Sequence, residues 1–384
     1  MNEQTLAEPG SGYFLYHSIG VFPDKARLTA NALAEFAQIW GTADDQAWPA
    51  SLRLKERFLE RWRDCIDAPP GTLTTADNVT TALYSLVGSL PDATLKGRRL
   101  LIAADCFPSL HFLLSGMAER RGFMLETVPL RSGEAWVRDE DLMARWTAEV
   151  AVALLTHVTS TASHRSSLDA LIAHGHALGS LVGVDITQSV GIIPFSVTRT
   201  DADFVVASTL KWLCGVAGAA VLYVKHPLLK ECRPELRGWF SQEEIFSWDL
   251  EGFRYAPDAR RFDHGTPSIV ACAASLPALE WHASQDPAAL LAHTRELGES
   301  LIAMAQELKL ELISPRSAEE RGGSIMLRLP DRVPAQTLLD ALRATGSYAD
   351  VRGHALRLSP GNLTTAEGIA RLEKALSDAL RGHR

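Results

Sequence analysis

Val182-Gly183-Val184-Asp185-Ile186-Thr187-Gln188 and Asp203-Phe204-Val205-Val206-Ala207-Ser208-Thr209-Leu210-Lys211-Trp212-Leu213-Cys214-Gly215 share one design. Each is a short apolar run rich in β-branched residues that ends on an ionisable side chain. A continuous apolar run without alternation is the pattern of a strand covered on both faces, as in a parallel sheet. Lysine is almost never buried without a partner or a task. A lysine delivered by such a strand onto a glycine-containing turn is therefore a candidate reactive group. In open α/β sheets, ligands bind beyond the carboxyl ends of the strands, which is where Asp185 and Lys211 fall.

The same pattern extends outward. Further apolar runs lie at Leu100–Ala104, Leu125–Leu130, Val150–Leu155 and Ala219–Val224, and helical stretches at Ser109–Arg121 and Leu168–Leu178 separate neighbouring runs. Strands alternating with helices predict an α/β layer with a mostly parallel sheet. The last hundred residues differ. Helical stretches at about Ile269–Trp281 and Pro287–Leu308 precede two short strands, Ser324–Leu329 and Ala355–Leu358, and an amphipathic helix at Thr365–Leu380. That order predicts a smaller α+β domain. The expected organisation is an N-terminal segment (1–44) packing with the small domain, a large domain (45–270) and a small C-terminal domain (271–384).

The composition narrows the function. The protein has 384 residues, 46% of them apolar, enough for two cores. A formal charge of −8 argues against nucleic acid or an anionic membrane as partner. No run is long enough for a membrane span. Met1-Asn2-Glu3-Gln4-Thr5 lacks the basic and apolar regions of a signal peptide. Cys65, Cys106, Cys214, Cys232 and Cys272 are odd in number and scattered, as expected of reduced thiols in a cytoplasmic protein. The histidines lack metal-ligand spacing, and His174 with His176 alone makes no site, so no metal is expected.

An amine and an acid at the ends of two strands are what a pyridoxal 5′-phosphate (PLP) site requires. The amine forms a Schiff base with the aldehyde, and the acid keeps the pyridine nitrogen protonated. With these residues in place, the sequence resembles the class V aminotransferase family of PLP enzymes (fold type I), and within it is most similar to kynureninases. The resemblance is carried by Tyr13–Gly20, Asp105-Cys106-Phe107-Pro108-Ser109, Leu155-Thr156-His157-Val158, Asp185–Pro194, Lys211-Trp212-Leu213-x-Gly215, Gly238-Trp239-Phe240, His264-Gly265-Thr266-Pro267 and Leu356-Arg357-Leu358-Ser359-Pro360. The Asp-x-x-Gln-x-x-Gly-x-x-Pro and Lys-Trp-Leu-x-Gly pieces are specific as a pair at this spacing.

The resemblance implies roles at matching positions. Lys211 is the Schiff-base lysine and proton shuttle, and Asp185 pairs with the pyridinium. Gln188, where kynureninases usually have histidine, faces the cofactor ring or its phenolic oxygen, and Phe107 stacks on the ring. Asp77, Asn78 and Val79, at the start of a helix, hold the phosphate, with Ser208, Trp239 and Thr266 as further cofactor contacts. Thr266 reaches a partner's cofactor, which implies a homodimer with shared sites. Arg357 clamps the α-carboxylate of an amino-acid substrate, and His17 lies on the substrate side. Taken without the resemblance, Asn78 is an ordinary helix cap, Phe107 a core aromatic and Arg357 a strand-surface arginine.

Three positions depart from the kynureninase pattern. Leu210 replaces a tyrosine immediately before the lysine. Leu110 replaces an aspartate after Phe-Pro-Ser. Thr159-Ser160-Thr161-Ala162-Ser163 replaces Asn-Tyr-Lys-Thr-Gly. The cofactor frame is kept while groups near the reaction change. Two enzyme readings stay open: a kynureninase-like lyase or hydrolase cleaving a substrate side-chain bond through a Cα carbanion, and an aminotransferase. A cysteine desulfurase is disfavoured because no cysteine follows Cys272. A PLP-binding regulator is disfavoured by the absence of a basic DNA-binding module, and an idle scaffold by intact Lys211, Asp185 and Arg357. A dinucleotide oxidoreductase is disfavoured by the absence of Gly-x-Gly-x-x-Gly.

Overall fold

The computed structural model describes residues 10–382. The stretch 1–9, with the leader-free reading of Met1–Thr5, lies outside the described residues.

The central layer is a seven-stranded sheet: β1 (Leu73–Ala76), β2 (Arg99–Ala103), β3 (Met124–Val128), β4 (Val150–Thr156), β5 (Leu181–Asp185), β6 (Phe204–Ser208) and β7 (Ala220–Val224), in the order β1-β7-β6-β5-β4-β2-β3. β2, β3, β4, β5 and β6 pair in parallel. β7 is antiparallel to both neighbours. The sequence reading of a mostly parallel sheet stands, with Ala219–Val224 as the reversed strand. Its reversal follows from the short connection after Lys211, which has no crossover helix to return the backbone to the other end.

Two apolar clusters cover the sheet's faces. On one face, helix Ala47–Ile66 contributes Leu54, Phe58, Trp62 and Ile66, each fully or nearly fully buried. Their four-residue spacing sets one side chain above the next on one helix face. Ile269, Ala271, Cys272, Ala273, Leu276 and Leu279 of helix Ile269–Ala283 belong to the same cluster. The boundary expected at residue 270 therefore falls inside a helix that packs on the large sheet. The smaller unit starts at helix Pro287–Glu307.

That unit holds a four-stranded antiparallel sheet of β8 (Glu311–Leu312), β9 (Ile325–Arg328), β10 (Asp350–Arg352) and β11 (Ala355–Leu358), in the order β10-β11-β9-β8. The N-terminal segment divides in two. Residues 10–20 form a strap on the small sheet, with bridges Tyr13↔Tyr348 and Leu15↔Ser359, and Phe14 enters the small core. Helix Lys25–Gly41 instead packs against helices Ala47–Ile66 and Ile269–Ala283. Of the segment expected to join the small domain, residues 10–20 contact the small sheet, while helix Lys25–Gly41 contacts helices of the large unit. Among the described residues, no helix is long and apolar enough to cross a membrane.

Candidate active site

Lys211 sits on the turn after β6. The turn is closed by Cys214 N–H to the Lys211 carbonyl (2.8 Å) and Gly215 N–H to the Thr209 carbonyl (2.8 Å). Trp62 Nε1 donates to Thr209 Oγ1 at 3.2 Å, tying the turn to the core. The strap crosses the same turn: Gly20 N–H donates to the Leu210 carbonyl at 3.0 Å. A Cβ on Gly20 would lie 1.8 Å from the Lys211 carbonyl oxygen, so only glycine fits this crossing.

The amine of Lys211 lies 5.2 Å from the centroid of the Phe107 ring. Phe107 immediately precedes helix Pro108–Arg121 and is 44% exposed, so it is not the core aromatic its composition alone would suggest. Burial lowers the Lys211 pKa to about 8, with Asp185 pulling it up and Arg357 pushing it down. Burial likewise raises the Asp185 carboxyl above its ordinary value, opposed by hydrogen bonds from Thr187 and by Lys211. Thr187 N–H donates to Asp185 Oδ1 at 2.9 Å. These are mutually coupled groups in one buried place, the signature expected of a reactive site.

The sheet register supplies the scale. Ser208 of β6 pairs with Ala220 of β7, which pairs with Ala76 of β1. Two interstrand steps set Ser208 and Ala76 about 10 Å apart. Beyond Ala76 comes helix Val79–Ser89, capped by Asn78, whose side chain accepts from Thr81 N–H at 3.0 Å. A lysine at one side and a helix N-terminus at the other, at one end of the sheet, match a compact aldehyde-phosphate group. No hydrogen bond among the described residues links Asp77, Asn78, Val79, Ser208, Trp239 or Thr266 directly to Lys211. Trp239 packs edge-on against Trp48 (5.5 Å) and Phe240 (4.5 Å), and Thr266 is exposed.

Gln188 is buried, and its amide is engaged within the protein. Nε2 donates to the His17 carbonyl (3.1 Å) and to Ser160 Oγ (3.2 Å), and Oε1 accepts from Trp212 Nε1 (3.1 Å). Both of its N–H groups are taken within the protein. The residue joins the strap, the altered 159–163 segment and the lysine turn.

Arg357 lies on β11 directly opposite Asp350 of β10. Its Nε donates to Asp350 Oδ1 at 2.7 Å, and Nη2 donates to Oδ2. Nη1 has only a long contact, 3.5 Å to the Ser160 carbonyl. His17 Nε2 stands 3.3 Å from Asp350 Oδ1, and its Nδ1 meets Ser359 Oγ at 2.7 Å. Burial lowers the His17 pKa, opposed by the hydrogen bond to Asp350. Partial burial works the other way at Asp350, yet His17 and Arg357 hold that carboxyl far below the usual range. Asp350, which joins Arg357 to His17, is a member of this cluster that sequence reasoning misses. The signal is there: Gly353-His354 centres a two-residue hairpin that sets residue 350 against 357.

Comparison with known proteins agrees with this geometry. The aminotransferase class-V family model matches residues 60–371. The chain belongs to that family of PLP-dependent enzymes. Kynureninase from Deinococcus radiodurans is 27% identical over 88% of this chain and 81% of its own length. Kynureninase from Pseudomonas fluorescens is 26% identical over 92% and 84%. An uncharacterised aminotransferase from Bacillus subtilis is 25% identical over 83% and 82%. Among solved structures, a cysteine desulfurase from Thermococcus onnurineus superposes with a TM-score of 0.85 at 17% identity, covering 96% of this chain and 94% of its own. The cystine C–S lyase C-DES, in complex with cysteine persulfide, gives 0.84 at 20% identity, covering 96% and 98%. The structural matches establish the fold type I architecture.

Proposed function

We propose that this protein uses PLP to act on an L-α-amino acid, cleaving a C–C or C–X bond in the substrate's side chain as kynureninases do, and that it works as a cytoplasmic homodimer. The observation that carries the reading is the half-buried Lys211 amine beside Phe107, lowered in pKa and under the influence of both an acid (Asp185) and a guanidinium (Arg357). The kynureninase relatives, matched over most of both sequences, favour side-chain cleavage.

When bound, PLP supplies an aldehyde for an amine and a protonated ring that accepts the electron pair of the Cα–H bond. The protein's part is positioning and proton transfer. Asp185 accepts from the ring nitrogen and keeps it protonated. Phe107 covers one ring face and excludes water from it. The N–H groups at the start of helix Val79–Ser89 would hold the phosphate, with Asn78 fixing that helix end; Ser208 and Trp239 would complete the frame, and Thr266 would reach a partner's cofactor. Arg357 binds the substrate α-carboxylate, with His17 beside it. With the cofactor and substrate bound, Lys211 would take the Cα proton, a task suited to an amine with a pKa near the working pH. Leu210 adds no hydroxyl to this relay. Phe246, Trp248 and Leu250, 68%, 92% and 93% exposed, cluster in the segment after Trp239 and supply apolar area that a dimer contact would cover.

Transamination uses the same three charged residues, and the Bacillus subtilis relative is named as an aminotransferase. Product analysis separates the two. PLP-loaded protein is incubated with L-kynurenine or its 3-hydroxy analogue, with Lys211→Ala as control. Equimolar anthranilate (or its hydroxy analogue) and alanine, lost in the variant, support the cleavage reading. A keto acid formed with the side chain intact supports transamination and overturns it.

A further inference from the structure

The geometry points to Asp350 as the positioning residue of the carboxylate clamp: it takes one side of the Arg357 guanidinium and thereby aims the Nη1 end at the substrate. This rests on the reading of Arg357 as the clamp.

A guanidinium offers its donors along distinct edges in a rigid plane. The Nε–Nη2 side of Arg357 is occupied by both oxygens of Asp350. The contact is set by the backbone, because the two residues are register partners on adjacent antiparallel strands. The side chain of Arg357 is 10% exposed, so it has little freedom to find another carboxylate partner. What remains is the far edge, the second hydrogen of Nη2 and both of Nη1, and the one contact of Nη1 is the long approach to the Ser160 carbonyl. That end is directed at the segment that replaces Asn-Tyr-Lys-Thr-Gly, on the Gln188 side of the site.

The arrangement has a second anchor. Asp350 faces His17, and His17 is held through Ser359 Oγ to Ser324 Oγ, at 2.7 and 2.6 Å. The strap that carries His17 continues to Gly20 on the lysine turn. Asp350 thus fixes Arg357 relative to the same strap that contacts the lysine. A carboxylate in this place does two things. It orients the clamp, and it offsets the clamp's positive charge, which otherwise bears on Lys211.

The test compares an acid with its neutral amide, so that the clamp's share of binding is isolated. L-alanine and L-alaninamide are titrated into the PLP-loaded protein and followed by the cofactor's absorption. The ratio of the two dissociation constants reports the carboxylate contact. Arg357→Ala tests the clamp itself and is expected to bring the ratio close to one. Asp350→Asn, which keeps the volume and one acceptor, is expected to reduce the ratio about fivefold or more. Asp350→Glu keeps the charge but moves the carboxylate by one methylene, and is expected to reduce it as well. In Asp350→Asn the pKa read from the cofactor's absorption is expected to fall, because the charge of Arg357 on the lysine is then uncompensated. An unchanged ratio in Arg357→Ala would remove the clamp reading. A lost ratio in Arg357→Ala together with a wild-type or larger ratio in both Asp350 variants would overturn the role of Asp350 alone.

Discussion

The amine of Lys211 lies 5.2 Å from the centroid of the Phe107 ring, although 104 positions separate them in the sequence. β2 and β6 bring them together at one end of the sheet, with β4 and β5 between. A cofactor ring condensed with that amine would find an aromatic plane beside it. Phe107→Leu keeps the apolar contact and removes the stacking plane. It is expected to weaken PLP affinity by about 0.5–1.5 kcal/mol, roughly two- to tenfold, measured by fluorescence titration of the apoprotein with PLP.

The lowered pKa of Lys211 makes the loading of PLP pH-dependent in a defined way. Only the neutral amine attacks an aldehyde. With a pKa of about 8, roughly a tenth of the amine is neutral at pH 7 and about half at pH 8. The rate constant for holoenzyme formation is therefore expected to rise about fivefold between pH 7 and 8 and to level off above pH 9. A rate still climbing nearly tenfold between pH 8 and 9 would mean an ordinary, solvated lysine. Stopped-flow absorption reads this directly.

Gly20→Ala tests whether the strap sets the lysine turn. The new methyl would lie 1.8 Å from the Lys211 carbonyl oxygen and 2.8 Å from Cys214 Sγ, both in buried surroundings. Relief requires the strap or the turn to move. The expected result is a loss of about 1–3 kcal/mol in stability, with PLP affinity reduced in the same variant. Urea unfolding and PLP titration give the two numbers.

Much of this arrangement is legible in the sequence. The apolar runs that end at Asp185 and Lys211 read as buried strands because both sheet faces are covered. Leu73–Ala76 escapes such a reading because four residues with two threonines give too short a pattern to distinguish a strand from a loop. The helical run from Ile269 is legible, but its place is not: its apolar residues pack on the large sheet, a tertiary choice that periodicity does not encode. Gln188 stands out in the sequence, but its partners belong to the strap and to residues 160 and 212, which meet only on folding. Asp350 requires reading the hairpin register across Gly353-His354 rather than a motif.

Acid should expose a cost carried by a buried histidine, His157, and a half-buried one, His282. Burial lowers His157 to about 3 and His282 to about 4, with Arg165 adding to the first and the Trp212 carbonyl opposing the second. Both folded-state values lie below the ordinary value of 6.5. The unfolded state therefore takes up these protons first. Stability is full above about pH 6.5 and is lost as pH falls from there toward 4, by up to about 1.4 kcal/mol per pH unit for each group. His157→Gln and His282→Gln are each expected to flatten the decline measured by urea unfolding between pH 6.5 and 4.5. An unchanged slope in both would mean that neither ring stays neutral in the fold.

The most direct test of the account is chemical capture of the cofactor. PLP-loaded protein is reduced with borohydride, digested and mapped by mass spectrometry. The account predicts a single phosphopyridoxyl adduct, on the peptide containing Lys211, and its absence in Lys211→Ala. An adduct on a different lysine, or none after saturating PLP, would contradict the assignment of Lys211 and the site built around it.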